Sequence, residues 1–362
     1  LAEKQKLSLQ DSIQKFIPDF PSKGYTITVE HLLTHTSGLT EFFTLDHPDP
    51  FALRRDFKPM ELIQFFMNEP LEFEPGTKSS YTNSGYFLLG YIIEVVSGVP
   101  YGAYLQENIF KPSGMTQTYY GDNSQVIPNR VSSYFKEGDS FRNGEYRSMT
   151  VPYAAGALLS TVEEMSKWHQ SLYQNKLISR DLLTASITAY RLKDETVGDF
   201  GYGWFINPVE VQGSPTLLHP GGISGFSSLI MYLPKEDVLV VLLANFNEVK
   251  LEEIGTQAAT LAMGKKLKDE VFVDKSIWET FKGKYQMTSD VSRVALIQEL
   301  EGKLIIKVEN SWGAELSPTN NTTFRVKNVK PSATLEFIKD EMGKVTKFVI
   351  NQGALYEWVR IE

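Results

Sequence analysis

Two residues apart, Tyr81 and Asn83 pair a phenol with an amide just ahead of a strongly apolar run, in the stretch SSYTNSGY (79 to 86). A phenol titrates at about pH 10, so service as a base at neutral pH requires cationic neighbours that favour the phenolate. An asparagine amide donates and accepts at once, which suits it to hold the carbonyl of a substrate amide. The same stretch also reads as a capped loop opening a helix.

A second candidate is His219, which ends an apolar run and leads into Pro220-Gly221-Gly222-Ile223-Ser224-Gly225-Phe226. Glycines at a strand edge leave room for a ligand backbone to lie close and pair as an added strand, and their N-H groups are candidate oxyanion donors. The glycine spacing is not that of a dinucleotide fold, and no Lys-Ser/Thr follows as in a phosphate loop. His31 and His35 stand at i and i+4, but the zinc-protease arrangement needs a Glu after the first His, where this chain has Leu32. No third ligand is evident, so they read as structural histidines opening the turn Thr36-Ser37-Gly38, and no metal is expected. His47 and His169 lack motif context and read as surface or packing residues.

The elements that must hold these residues follow from periodicity. Phe87, Leu88, Tyr91, Ile92, Val95 and Val96 recur at helical spacing, which predicts a buried helix over 84 to 97 with Asn83 as cap and Gly98 as stop. Another helix is predicted over 163 to 174 behind Ser160-Thr161, and a last one over 251 to 263. Residues 119 to 157, rich in Gly, Asn, Ser and Tyr, read as loops with short strands. The runs 226 to 233 and 238 to 244, around Pro234-Lys235-Glu236-Asp237, predict a hairpin in a sheet covered on both faces. After a charged linker, Gly264 to Glu270, short β-rich runs at 304 to 308, 323 to 326, 335 to 338, 345 to 350 and 355 to 361 predict a small antiparallel barrel or sandwich.

Composition sets the outer limits. The 362 residues, a length that suggests two domains or one large one with an appendage, are 42% hydrophobic and carry 36 basic and 44 acidic groups for a net charge of -8. No block of like charge suggests a nucleic-acid partner, and no apolar run approaches a membrane span. The absence of cysteine excludes thiol catalysis, disulfides and thiolate metal sites. Leu1 to Lys6 has helical composition without a cap, so the chain is expected to begin inside a helix with residues preceding it.

Taken in order, ITVEHLLTHTSGL (27 to 39), EPGTKSSYTNSGYFLLGYIIEVVSG (74 to 98), AAGALLSTVEEMSKW (154 to 168), GYGWF (201 to 205) and HPGGISGF (219 to 226) resemble the serine β-lactamase and penicillin-binding protein superfamily. The branch is that of class C β-lactamases, D-alanyl-D-alanine carboxypeptidases, D-aminopeptidases and related esterases. The resemblance implies an α+β fold over residues 1–266, an antiparallel sheet flanked by helices with a helical subdomain. Residues 272–362 resemble an appended lipocalin-like β-barrel. It also implies a site of three motifs: Ser-x-x-Lys as nucleophile and base partner, Tyr81-x-Asn83, and His219-x-Gly221 on a sheet edge. Gly222 would then supply one oxyanion N-H, the nucleophilic serine the other. No metal or organic cofactor is implied, and relatives act in the periplasm or outside the cell.

The first motif is expected roughly fifteen residues ahead of Leu1. Two Ser-x-x-Lys strings do occur, Ser12 to Lys15 and Ser133 to Lys136, neither at the position the resemblance requires. This chain alone is therefore expected to be nearly inert. His219 replaces a lysine, giving a weaker, pH-dependent anchor for a substrate carboxylate, which favours a peptidase or esterase over an efficient β-lactamase. The expected partner is a small-molecule or peptide substrate. The rival expectation is a non-catalytic protein that binds peptidoglycan-type ligands in the same pocket.

Overall fold

The structure is a computed structural model that describes residues 1–45, 52–138, 140–267, 275–309, 311–327, 329 and 333–362. These form two compact units, Leu1–Lys265 and Lys266–Glu362. His47 and the end of the expected linker lie outside the described residues.

At its start the chain differs from expectation. Leu1 to Lys6 forms turns, with the Gln5 N-H donating to the Ala2 carbonyl at 2.8 Å and Lys6 to Leu1 at 3.2 Å. Gln5 adopts a left-handed φ of 52°, which stops a helix that six residues could not nucleate alone.

In the first unit, helix α1 (Val29–Leu33) packs against α2 (Asn83–Ser97). Thr82, not Asn83, is the N-cap: its hydroxyl accepts from the Ser84 N-H, so Asn83 becomes the first helical residue and its side chain is free for other partners. Gly98, at φ 74°, ends the helix in the left-handed region as expected. Phe87, Leu88 and Ile92 of α2 are buried against Leu32, Phe42, Ile63 and Phe66, which makes α2 the spine of a helical core. Helix α3 (Val162–Tyr173), capped by Thr161, and α4 (Leu251–Ala262) belong to the sheet.

That sheet holds β1 (Phe205–Ile206), β2 (Leu217–Ile223), β3 (Phe226–Leu233) and β4 (Val238–Ala244), antiparallel and in that spatial order. Strand alternation sends Leu229, Met231 and Leu233 to one face with Ala259 of α4, and Ile230 and Tyr232 to the other with Trp168 and Tyr173 of α3. Between the motif regions, Tyr119–Tyr120 pairs with Leu158–Leu159, and Tyr134–Glu137 with Ser140–Asn143. Among the described residues no single helix is long and apolar enough to cross a membrane.

The second unit is a closed antiparallel barrel. Its strands are β5 (Gly283–Met287), β6 (Val294–Leu300), β7 (Lys303–Val308), β8 (Gly313–Pro318), β9 (Thr323–Val326), β10 (Ala333–Lys339), β11 (Val345–Asn351) and β12 (Leu355–Arg360). Sequence neighbours pair throughout, and β12 closes on β5 with Trp358 opposite Met287. Phe281, Tyr285, Phe324, Phe337, Phe348 and Trp358 fill its interior.

Candidate active site

The turn after α1 is what positions the second motif. His35 leaves the helix at φ 55°, and Gly38 sits at φ 73° where a Cβ would lie 2.1 Å from the Phe73 carbonyl oxygen. The His35 Nδ1 accepts from the Thr82 N-H at 3.2 Å, and its carbonyl from the Ser80 N-H at 2.8 Å. Ser84 Oγ donates to the Thr40 carbonyl (2.7 Å) and accepts from the Phe42 N-H (2.9 Å). The turn is thereby laced to the first residues of α2, and Tyr81 and Asn83 are held on either side of a buried Thr82.

Tyr81 remains 41% exposed, its ring centroid 4.6 Å from that of His35, 6.3 Å from Phe205 and 6.0 Å from His219. Its hydroxyl donates to Asn83 Oδ1 at 3.3 Å. Desolvation, and then the carboxylate of Glu41, raise the phenol's pKa above its ordinary value. That is the reverse of what a base requires, so within the described residues Tyr81 is a protonated donor.

The two imidazoles beside it are uncharged. His35, buried among the Tyr81, Tyr86 and Phe200 rings, has its pKa lowered to about 3 by desolvation first and then by His219. Burial also lowers the pKa of His219. Its Nδ1-H donates to the Pro220 carbonyl at 2.6 Å, which leaves Nε2 as an acceptor in the neutral ring. With Nδ1-H committed to Pro220, the neutral ring offers an acceptor that suits an N-H or O-H donor, and only its protonated form would anchor a carboxylate.

Gly221 and Gly222 differ in what they face. Ser224 and Gly225, at φ 43° and 85°, make the two-residue turn that joins β2 to β3, with Ile223 opposite Phe226. Such a closing pair exchanges hydrogen bonds, so by alternation Gly221 bonds to Ser228 while Gly222 turns its N-H and C=O outward. On that outward side β1 pairs only with Leu217 and Leu218. Among the described residues, the edge from Pro220 to Ile223 is open. A Cβ at Gly222 would meet nothing nearer than 4.0 Å, whereas one at Gly221 would meet Ser228 Oγ at 2.2 Å.

Neither Ser-x-x-Lys string has the geometry of a nucleophile. Ser12 caps a short 3-10 turn, its hydroxyl engaged by Gln14, and Lys15 is paired with Asp11 at 2.7 Å. Ser133 lies beside the β2–β3 turn, 3.1 Å from where a Gly225 Cβ would be. It enters the strand Tyr134–Glu137, where positions three apart face opposite ways, so Lys136 cannot serve it.

His31 Nδ1 accepts from the Thr28 N-H in a capping box, and His35 has left the helix, so the two rings do not share a face. Among the described residues no group of His, Asp and Glu could hold a metal. His169 is buried against Tyr173 and Tyr232 and packs as expected. Sequence reasoning missed Glu41, whose carboxylate accepts from the Asn83 N-H (2.6 Å), Asn83 Nδ2 (3.1 Å) and the Phe43 N-H (3.0 Å).

With the fold and this geometry in view, the chain belongs to the Beta-lactamase family, which matches residues 1–262. It is 27% identical over 393 residues to a penicillin-binding protein of Bacillus subtilis strain 168, covering 99% of this chain and 83% of that one. It spans 61% and 49% of two further curated relatives. The octameric penicillin-binding protein homologue of Pyrococcus abyssi shares the fold over 99% of this chain and 84% of that one, with TM-score 0.67 at 24% identity. The D-amino acid amidase of Ochrobactrum anthropi SV3 does so over 72% and 79%, with TM-score 0.61 at 22% identity.

Proposed function

We propose that the whole protein is a serine hydrolase that acts through an acyl-serine on small esters or D-amino-acid amides and peptides. The nucleophile is assigned to a Ser-x-x-Lys preceding Leu1. The observation that carries this reading is the meeting of the Tyr81-Asn83 pair with His219 beside an open strand edge whose Gly222 N-H faces outward. The serine Oγ attacks the carbonyl carbon, and Gly222 N-H and the serine's own N-H stabilise the oxyanion. Collapse breaks the bond to the amine or alcohol, which leaves with the proton that Tyr81 and the lysine relay. Water then cleaves the acyl ester.

A nearby lysine cation would offset Glu41 and bring the Tyr81 pKa down into working range. The acceptor-only His219 argues for amide, ester and amine-bearing substrates over β-lactams anchored by a carboxylate. The amidase fold shared with this chain supports the same choice. Purified full-length protein should hydrolyse p-nitrophenyl esters and D-amino-acid amides faster than cephalosporins; the opposite order would refute the assignment. Action in the periplasm or outside the cell rests on the family resemblance, and cell fractionation checks it.

One observation favours a second reading, a non-catalytic binder: the charge beside Tyr81 is the Glu41 carboxylate and not a cation. Ligand binding with no turnover of any ester or amide by the full-length protein would establish it.

A further inference from the structure

We propose that Glu41 is the positioning residue of this site: it fixes the orientation of the Asn83 amide, so that one face of that amide is committed to Tyr81 and one N-H is left for the ligand. The inference rests on the site proposed above. A carboxylate only accepts, so it must face Nδ2 and not Oδ1 of Asn83. Glu41 Oε1 takes that Nδ2-H at 3.1 Å, and Oε2 takes the Asn83 backbone N-H at 2.6 Å. The side chain is thus gripped together with its own backbone.

Oδ1 is left pointing to Tyr81, whose hydroxyl donates to it at 3.3 Å. Each polar atom of Asn83 then has one assignment: Oδ1 to the phenol, one Nδ2 proton to the carboxylate, and the second Nδ2 proton open to a substrate carbonyl. Glu41 itself is held by the Phe43 N-H at 3.0 Å, in the turn that Ser84 ties to α2. Without Glu41 the amide is free to turn over, presenting an N-H to the Tyr81 oxygen and its carbonyl to the substrate's, which repels it.

Glu41→Gln is nearly isosteric and tests this, because a glutamine must offer a donor to one of the two Asn83 N-H groups. In the full-length protein, Glu41→Gln should lower kcat/KM on a D-amino-acid amide by about tenfold to a hundredfold. In an Asn83→Ala background the same change should alter it less than about twofold, since residues that act through one another are not additive. Equal losses in both backgrounds would overturn the proposal. Glu41→Asp, which keeps the acceptor charge, should recover part of the loss.

A second readout does not depend on turnover. By 15N NMR of this chain, the Asn83 side-chain amide should show one proton shifted and slowed in exchange, and that pattern should change in Glu41→Gln as the amide turns over. Unchanged resonances would overturn the clamp even in an active enzyme. An inactive full-length wild type would instead refute the hydrolase reading, with the resonances still deciding the clamp.

Discussion

At the scale of single residues, burial sets the direction in which the site groups titrate, up for Tyr81 and down for His35 and His219. Tyr81 is the donor to Asn83, and its replacement by Phe should lower kcat of the full-length protein by about a hundredfold to ten-thousandfold while KM changes little. A fall below threefold, read from steady-state kinetics, would remove it from the proton relay. His35 carries a pH signature of its own. Its folded pKa of about 3 lies below the unfolded value of 6.5, so between those limits the unfolded chain binds more protons and stability falls as pH falls. The contribution is intact above pH 6.5 and is lost toward about pH 3, on the order of 5 kcal/mol in all. Urea titrations from pH 7 to 4 should show this slope reduced in His35→Asn. Tyr81-x-Asn83 and His219-x-Gly221-Gly222 stand out in the sequence because each is a short local pattern. Glu41 does not, because it reaches Asn83 across 42 positions and carries no motif.

At the scale of elements, caps and turns decide where those groups point. Thr82→Ala should destabilise α2 by about 1 kcal/mol, measured by thermal or chemical unfolding. Gly38→Ala should cost more, about 2 kcal/mol or above, because a left-handed φ and a backbone oxygen at 2.1 Å both oppose the new methyl. A Gly38→Ala protein as stable as the wild type would mean that this turn does not brace α2. Helix α2 and the β3–β4 hairpin were legible because their periods are clean. In the barrel, β6 (VALIQEL) mixes Ala, Leu, Gln and Glu, good helix formers, with Val294 and Ile297, and β8 begins on Gly313 and ends on Pro318, so local propensity hid both strands. What overrides propensity there is closure, which pairs β6 with β5 and β7 and buries Ala295 and Ile297.

At the scale of the molecule, each unit has its own core. Phe337 is 2% exposed and stacks on Phe281 with centroids 4.1 Å apart, so Phe337→Ala should cost the barrel about 3 to 5 kcal/mol. Calorimetry should show the loss in one transition and leave that of Leu1–Lys265 in place; a shift of both would mean that the units unfold together. The family membership was legible from five ordered motifs, whereas the position of the nucleophile is the proposal made above. Mass spectrometry of the full-length protein after treatment with a fluorophosphonate or penicillin probe therefore tests the central claim. The predicted result is one adduct, on the serine of a Ser-x-x-Lys ahead of Leu1, lost in the Tyr81→Phe variant; an adduct on Ser12 or Ser133, or none at all, would contradict it.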